Sequence, residues 1–157
     1  MRIGIGYDIH RFQEGRTLVL GGVTLPGETG LGGHSDADVL LHAVIDAVLG
    51  AAGLGDIGQR FPPDDPAFEG ADSLGLLRQT VEAVPEAGCR PDGLDATVIA
   101  ERPKLAPHLP KMRVAVAGAL GLDPARVNVK ASTNEGVGDI GRGEAIAAIA
   151  VALLSEE

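Results

Sequence analysis

The feature that most constrains the fold is a strict alternation of residue types near the start of the chain. Odd positions from 3 to 9 are large and mostly apolar, whereas the even positions are Gly4, Gly6, Asp8 and His10. A period of two is typical of a β-strand whose two faces meet different surroundings. The segment 2–12 therefore predicts a strand with one apolar face and one face of glycines, a carboxylate and an imidazole.

Composition limits the class of protein. The chain has 157 residues, 45% of them hydrophobic, with 23 Gly and 10 Pro, so we expect one turn-rich globular domain over 1–157 and not a disordered chain. An excess of 22 acidic over 13 basic residues, a net charge of −9, argues against sequence-independent binding of nucleic acid or anionic membrane. Three Phe, one Tyr and no Trp leave little for base stacking.

Cysteine content and hydropathy bear on the compartment. Cys89 is the single cysteine, so no intrachain disulfide can form. The first apolar stretch meets a charge at Asp8 before a signal core is complete, and no run approaches the roughly 18 apolar residues of a membrane span. We therefore expect a cytoplasmic protein with neither a membrane nor a nucleic-acid partner.

Periodicity and turn residues predict the element order β, β, α, α, β, α, β. Strands are expected at 2–12, 94–100 and 127–132, with a hairpin over 17–25 that turns at Gly21-Gly22. Helices are expected at 37–51 after the capping pattern Ser35-Asp36-Ala37-Asp38, at 71–87 with a bend or end at Pro85, and at 111–122. Loops are expected at 26–33, 55–66 and 103–107. The segment 145–154 fits either a buried strand or a helix.

The first strand and the first helix together carry a candidate metal site. Asp8 and His10 lie on one strand face with about 6.6 Å between their Cα atoms, so both side chains can reach one ion. On the helix, Asp38, His42 and Asp46 recur every four residues and form one polar stripe on an otherwise apolar surface. His42 is the natural third ligand, because two His and one Asp with a position left open is a catalytic type of zinc site.

Simpler interpretations of the same residues stay open at this point. Asp8 can cap a turn, His10 can be an ordinary half-exposed histidine, and the helical stripe can be a solvated face. If the stripe is buried, its polar groups need partners, and Asp38 or Asp46 is then a candidate to orient His42 from behind.

Two further segments suit phosphate chemistry. His34 and Ser35 stand at the predicted helix start, where free N–H groups and the positive end of the helix dipole favour an anion. The run from Lys130 to Glu135, followed by glycines and by Arg142, combines hydroxyls, an amide and a carboxylate, which suit phosphate oxygens and a hard cation such as Mg²⁺. The residues alone favour metal-assisted phosphate chemistry.

Five ordered motifs resemble the 2-C-methyl-D-erythritol 2,4-cyclodiphosphate synthase family over nearly the whole chain. They are RIGIGYDIHRF at 2–12, GHSDADVLLHAVIDAVLGAAGLGDIG at 33–58, FPPDDPAFEGADS at 61–73, AERPKLAPHLPKMR at 100–113 and NVKASTNEGVGDIGRGEAIA at 128–147. Five collinear motifs are far more specific than any one of them.

The resemblance implies a fold and an activity. The fold is α+β, a two-layer sandwich of a mixed β-sheet with helices packed on one face, assembled as a homotrimer with active sites between subunits. The segment 145–154 is then a strand, by analogy. The activity is that of a CMP-releasing phosphorus–oxygen lyase of the non-mevalonate isoprenoid pathway. It converts 4-diphosphocytidyl-2-C-methyl-D-erythritol 2-phosphate to 2-C-methyl-D-erythritol 2,4-cyclodiphosphate by intramolecular phosphoryl transfer.

The resemblance also assigns roles by position. It implies zinc ligands at Asp8, His10 and His42, a Mg²⁺ or Mn²⁺ ligand at Glu135, and transition-state stabilisers at His34 and Thr133. Substrate contacts are implied along the same motifs, at Asp8, His10, His34, Ser35, Asp56, Ile57, Gly58, Phe61, Pro62, Pro63, Asp64, Asp65, Ala100, Glu101, Arg102, Pro103, Lys104, Leu105, Ser132, Thr133, Asn134, Glu135, Asp139 and Arg142. The range 100–105 matches the family's cytidine pocket.

One position departs from the family pattern. Asp139 stands where relatives carry an aromatic residue that lines an apolar cavity on the three-fold axis. Arg142, three residues further on, is the expected partner of the Asp139 charge.

Two rival functions use the same residues. A zinc-dependent phosphoesterase would activate water at the open zinc position and give linear products. A non-catalytic oligomer would use Asp8, His10 and His42 only to hold subunits together.

Overall fold

The computed structural model describes residues 1–156 of the chain. The strands are β1 (Arg2–Leu20), β2 (Val23–Leu31), β3 (Cys89–Ile99), β4 (Val127–Ser132) and β5 (Ala145–Glu156). The helices are α1 (Val39–Ala52), α2 (Ile57–Arg60), α3 (Ser73–Ala83), α4 (Leu109–Leu120) and α5 (Gly138–Gly141), with 3₁₀ turns at Pro66–Phe68, Val84–Ala87 and Pro124–Arg126. None of the helices in this described part is long and apolar enough to span a membrane.

The five strands form one mixed sheet in the order β2-β1-β5-β3-β4. The pair β3 and β4 is parallel, and the other neighbours are antiparallel. Helix α1 packs on β1 and β5, α4 packs beside β4, and α3 packs against α1 and α4. The α+β class and the mixed sheet predicted from the sequence are therefore confirmed.

The alternation in β1 is confirmed, but its apolar face is not the core. Ile3, Ile5, Tyr7 and Ile9 are exposed in this chain, as are Ile149 and Val151 of the neighbouring β5. The opposite face of the sheet is buried against helix α1. One face of the central strands thus meets helices while the other presents a row of large apolar side chains to the outside.

Glycine on β1 sets the distance between the sheet and α1. A Cβ atom on Gly6 would lie 1.9 Å from the carbonyl oxygen of Ala43, and one on Gly4 would lie 2.0 Å from that of Ala47. Real Cβ atoms do not approach backbone oxygens so closely, so these two positions admit only glycine. The strand and the helix are therefore in backbone contact just before Asp8 and His10.

The N-terminal cap of helix α1 is Asp38 and not Ser35. The Asp38 carboxylate, which is fully buried, accepts hydrogen bonds from the backbone N–H groups of Leu41 (3.0 Å), Gly21 (2.9 Å) and Gly22 (2.8 Å). Gly21 and Gly22 form the predicted turn between β1 and β2, with φ of 58° and 74°. Asp38 is the cap because its carboxylate stabilises both the helix start and the hairpin turn. Burial raises the pKa of Asp38 to about 6.

Several predicted boundaries were wrong. The segment 26–33, predicted as a loop, lies mostly in β2, which pairs with β1 through two register shifts. The predicted loop 55–66 contains the short helix α2, and the helix predicted at 71–87 ends at Ala83 before a 3₁₀ turn that contains Pro85. Strand β4 matches its prediction, and the ambiguous segment 145–154 is a strand.

Replacing Gly6 tests the close approach of β1 to α1. We expect Gly6→Ala to lower the free energy of unfolding by about 3 kcal/mol or more, because the backbone must move to admit the methyl group. Gly118→Ala in α4 is the matched control, since nothing lies within 4 Å of a Cβ there, and it should raise stability by about 0.5–1 kcal/mol. Denaturant unfolding measures both, and a Gly6→Ala protein as stable as the wild type would contradict this packing.

Candidate metal centre

Strand β1 and helix α1 bring three donor atoms to one point. The Oδ2 atom of Asp8 lies 2.7 Å from Nε2 of His10 and 3.1 Å from Nδ1 of His42, and the two nitrogens are 3.3 Å apart. All three side chains are half-buried. The cluster predicted from the strand spacing and the helical stripe is therefore present.

The orientation of His10 leaves a lone pair in the cluster. Its Nδ1 atom lies 2.6 Å from the carbonyl oxygen of Gly32, which can only accept a hydrogen bond, so Nδ1 carries the hydrogen. In the neutral ring, the other nitrogen, Nε2, then keeps its lone pair and faces Asp8. Burial lowers the pKa of His10, but the adjacent Asp8 carboxylate outweighs burial and raises that pKa.

The donor set fits a divalent cation. A tetrahedral zinc ion with bonds of about 2.1 Å separates its ligands by about 3.4 Å. Two of the three distances here, 3.1 and 3.3 Å, are close to that value, and the distance from Asp8 to His10 is shorter at 2.7 Å. Two imidazole nitrogens and one carboxylate oxygen are also the donor types of a catalytic zinc site. Burial raises the pKa of Asp8, but the two adjacent imidazoles outweigh burial and lower that pKa to about 2, so the carboxylate is ready to bind a cation.

A cavity of about 270 Å³ opens beside the cluster. Besides the three donors, it is lined by residues predicted as substrate contacts, namely His34, Ser35, Ile57, Gly58, Phe61 and Pro63. Asp46, Phe68 and Leu76 also line it, although none was predicted as a substrate contact. The apolar pair Phe61 and Phe68 packs edge to face, with 5.3 Å between ring centroids.

Hydrogen bonds hold both walls of this cavity. The Arg16 guanidinium donates to the carbonyl oxygens of Gly33 (2.6 Å) and Ser35 (2.5 Å), on either side of His34. On the other wall, Oδ1 of Asp46 accepts a hydrogen bond from the Ile57 N–H group at 2.7 Å. Arg16 was not predicted, because nothing in its local sequence indicates that it reaches the loop at 33–35.

The hypothesis that Asp38 or Asp46 orients His42 is not supported. Asp38 bonds to the hairpin turn, and Asp46 bonds to Ile57. The Nε2 atom of His42 instead lies 3.0 Å from the hydroxyl oxygens of both Ser35 and Ser73. Sequence reasoning missed Ser73; the one signal was its place at the start of a helix directly after the Asp72 cap.

The residues predicted at 100–105 and 132–135 form a second group outside the lining of this cavity. The Glu101 carboxylate accepts hydrogen bonds from the N–H groups of Asn134 (2.8 Å) and Gly136 (3.2 Å), so the segments 100–105 and 132–135 lie side by side. Within the segment 132–135, Glu135 has a positive φ of 52°, and its N–H group donates to the Thr133 hydroxyl. Within the described residues, neither segment contributes to the cavity lining.

Some predicted residues have clear structural contacts of their own. Asp56 caps α2, and Asp65 caps the turn Pro66–Phe68, while Pro62 and Asp64 belong to the turn that precedes it. The predicted ion pair between Asp139 and Arg142 is confirmed, and Arg142 also donates to Glu144 at 2.8 Å. Arg102 lies over the ring of Phe12, 5.3 Å from its centroid.

Comparison with known proteins adds relatives along the full chain. The model of the YgbB family matches residues 1–155. Two curated proteins named 2-C-methyl-D-erythritol 2,4-cyclodiphosphate synthase are similar to the chain. The protein from Symbiobacterium thermophilum is 59% identical over 155 residues, 99% of each chain, and that from Geobacter sulfurreducens is 58% identical over 157 residues, 100% of each.

Solved structures agree with this fold. The bifunctional IspDF from Campylobacter jejuni matches with a TM-score of 0.95 at 44% identity, over 99% of this chain and 42% of that longer one. A 2C-methyl-D-erythritol-2,4-cyclodiphosphate synthase in its CDP-bound form matches with a TM-score of 0.89 at 37% identity, over 98% of this chain and 100% of the other.

Proposed function

Because the chain belongs to the YgbB family, we propose that it converts 4-diphosphocytidyl-2-C-methyl-D-erythritol 2-phosphate to 2-C-methyl-D-erythritol 2,4-cyclodiphosphate and CMP. The observation that carries this proposal is the convergence of Asp8, His10 and His42 at a cavity, in a chain that matches synthases of that name from end to end. The enzyme would be a phosphorus–oxygen lyase of the non-mevalonate pathway, formed by a single domain over residues 1–157 and located in the cytoplasm.

The proposed reaction needs no nucleophile from the protein. An oxygen of the 2-phosphate attacks the β-phosphorus of the same molecule, the bond from that phosphorus to the bridging oxygen breaks, and CMP leaves with that oxygen. The protein therefore has to hold the two phosphates in line and balance their charge. A zinc ion on Asp8, His10 and His42 would supply Lewis-acid stabilisation of that charge.

The walls of the cavity perform the positioning. Arg16 fixes the loop at 33–35, so His34 and Ser35 are held facing the space beside the metal ligands. Asp46 fixes the start of α2 on the opposite wall, where Ile57, Gly58 and Phe61 are proposed contacts of the erythritol part. Fixed walls on both sides reduce the entropy that is lost when the phosphates are aligned.

Local charge must overcome a chain charge of −9. Within the described residues, Lys130 is paired with Asp95, and Arg142 is paired with Asp139 and Glu144. Their charges are thus partly neutralised before a polyanion binds. We propose that the divalent cations, zinc and a Mg²⁺ or Mn²⁺ held by Glu135, carry most of the attraction, with help from the exposed Lys104.

The second group of residues supports a site that is shared between subunits. We propose that the range 100–105, as a cytidine pocket, and Ser132 to Glu135, with Thr133 as a transition-state stabiliser, complete the cavity of a neighbouring subunit in a homotrimer. The exposed row of Ile3, Ile5, Tyr7 and Ile9 supports this arrangement, because a large apolar face of this kind is typical of a subunit interface.

Product analysis by phosphorus NMR tests the proposed reaction. With Zn²⁺, Mg²⁺ and the cytidyl substrate, we expect CMP and a cyclic diphosphate, and we expect His42→Ala to abolish both because a metal ligand is lost. Val114→Ala, on the outer face of α4, is the control variant and should keep the activity. Linear phosphates would favour the phosphoesterase, and zinc binding without turnover would favour the non-catalytic oligomer.

Sedimentation tests the proposed trimer. Ile5 is 71% exposed on the open sheet face, so Ile5→Asp should place a charge in the interface and reduce the mass from three chains to one. Val114→Asp introduces the same charge at a 60% exposed position on helix α4 and should leave the trimer intact. A wild-type protein that sediments as a monomer, or an Ile5→Asp variant that still sediments as a trimer, would contradict the proposed assembly.

A further inference from the structure

The side of His42 that faces away from the cluster has a chain of hydrogen bonds behind it. Its Nε2 atom meets the hydroxyl oxygen of Ser73 at 3.0 Å. That oxygen lies 2.5 Å from Oδ1 of Asp36, and Ser73 is completely buried. Asp36 is thereby connected to a proposed metal ligand through a single serine hydroxyl.

The chemistry of these groups fixes the direction of each hydrogen bond. A carboxylate only accepts, so the single hydrogen of the Ser73 hydroxyl points to Asp36. The Ser73 oxygen can then only accept from His42, so Nε2 of His42 carries the ring hydrogen. In the neutral ring, the other nitrogen, Nδ1, keeps its lone pair, and that lone pair points to Asp8 and His10.

Backbone contacts keep Asp36 in place to do this. Its Oδ2 atom accepts from the Ser73 N–H group at 3.0 Å, and its Oδ1 atom also accepts from the Asp38 N–H group at 3.1 Å. Its own N–H group donates to the carbonyl oxygen of Ala71 at 3.1 Å. The carboxylate is thus anchored to the starts of both α1 and α3 and cannot rotate away from Ser73 without breaking these bonds.

We propose that Asp36 and Ser73 are positioning residues that hold His42 in the Nε2–H tautomer, so that Nδ1 is presented to the cation. The proposal rests on the metal-binding part of the proposed function and concerns only the preparation of the ligand. His10 is prepared in the same way by the carbonyl of Gly32. Both imidazoles therefore offer lone pairs to the cluster, and a cation satisfies them without first displacing a ring hydrogen.

The same arrangement leaves a hydrogen available to a ligand. The Ser35 oxygen accepts from the Ala37 N–H group at 3.3 Å and also lies 3.0 Å from Nε2 of His42. Because Nε2 already carries a hydrogen, the Ser35 hydroxyl does not donate to it. Its hydrogen is free to point into the cavity, which Ser35 lines.

The tautomer of His42 can be read directly by NMR. In protein labelled with ¹⁵N-histidine, long-range ¹H–¹⁵N correlation distinguishes the Nε2–H from the Nδ1–H form, both in the protein as purified and after chelation of the metal. We expect the Nε2–H pattern for His42 in both. An Nδ1–H pattern in the chelated wild type would overturn the proposal, and this measurement needs no variant to fold.

Two variants test the hydrogen bonds that connect Asp36 to Ser73 and Ser73 to His42. Ser73→Ala removes the acceptor, and Asp36→Asn places an amide that can donate to Ser73, which turns its hydroxyl toward His42 and favours the Nδ1–H form. We expect both to shift the tautomer and to weaken Zn²⁺ binding about 10- to 100-fold in a chelator competition. An unchanged tautomer and an unchanged Zn²⁺ affinity in both variants would refute the proposal.

A matched control separates positioning from general stability. Thr80→Val also removes a buried hydroxyl from α3, one that donates to the Leu76 carbonyl at 2.9 Å, and does so away from His42. It should leave the tautomer and the Zn²⁺ affinity unchanged even if it lowers the melting temperature. Equal loss of Zn²⁺ affinity in Thr80→Val and Ser73→Ala would mean that Ser73 acts only through stability.

Product analysis keeps this proposal separate from the proposed reaction. A wild-type protein that holds His42 as Nε2–H and binds Zn²⁺ but forms no cyclic product would retain the positioning role and refute the reaction. A protein that forms the product with His42 in the Nδ1–H form would support the reaction and refute the positioning role.

Discussion

The backbone contact between β1 and α1 is the constraint on which the rest of the structure depends. Gly4 and Gly6 let the strand touch the helix, and the next two residues on the same face are Asp8 and His10. With any larger side chain at the glycines, the strand would stand further from α1 and His42 would not reach the two β1 ligands. The same geometry turns the large apolar residues of β1 outward, where the proposed subunit interface lies.

Around that contact, hydrogen bonds from outside the metal-ligand cluster determine which ring nitrogens present lone pairs to a cation. A backbone carbonyl orients His10, and a serine hydroxyl tied to a carboxylate orients His42. In each case the outer partner is an acceptor, so each ring directs a lone pair inward. A carboxylate and two such nitrogens within a few ångströms of one another favour the binding of a cation between them.

The sequence predicts local features of this protein well and tertiary ones poorly. The ligands were found because a period of two and a period of about 3.6 place side chains on definite faces. The segment 26–33 was wrongly predicted as a loop because its glycines looked like turn formers, whereas a Cβ on Gly30 would lie 2.5 Å from the Arg16 carbonyl of the paired strand. Ser73 was missed because its importance comes from Asp36, 37 residues away.

Anomalous diffraction shows directly whether Asp8, His10 and His42 hold a metal ion. Crystals grown with Zn²⁺ would be measured on both sides of the zinc absorption edge. We expect one anomalous peak per chain, about 2.0–2.2 Å from Oδ2 of Asp8, Nε2 of His10 and Nδ1 of His42. A peak elsewhere, with these three side chains bonded only to one another, would contradict it.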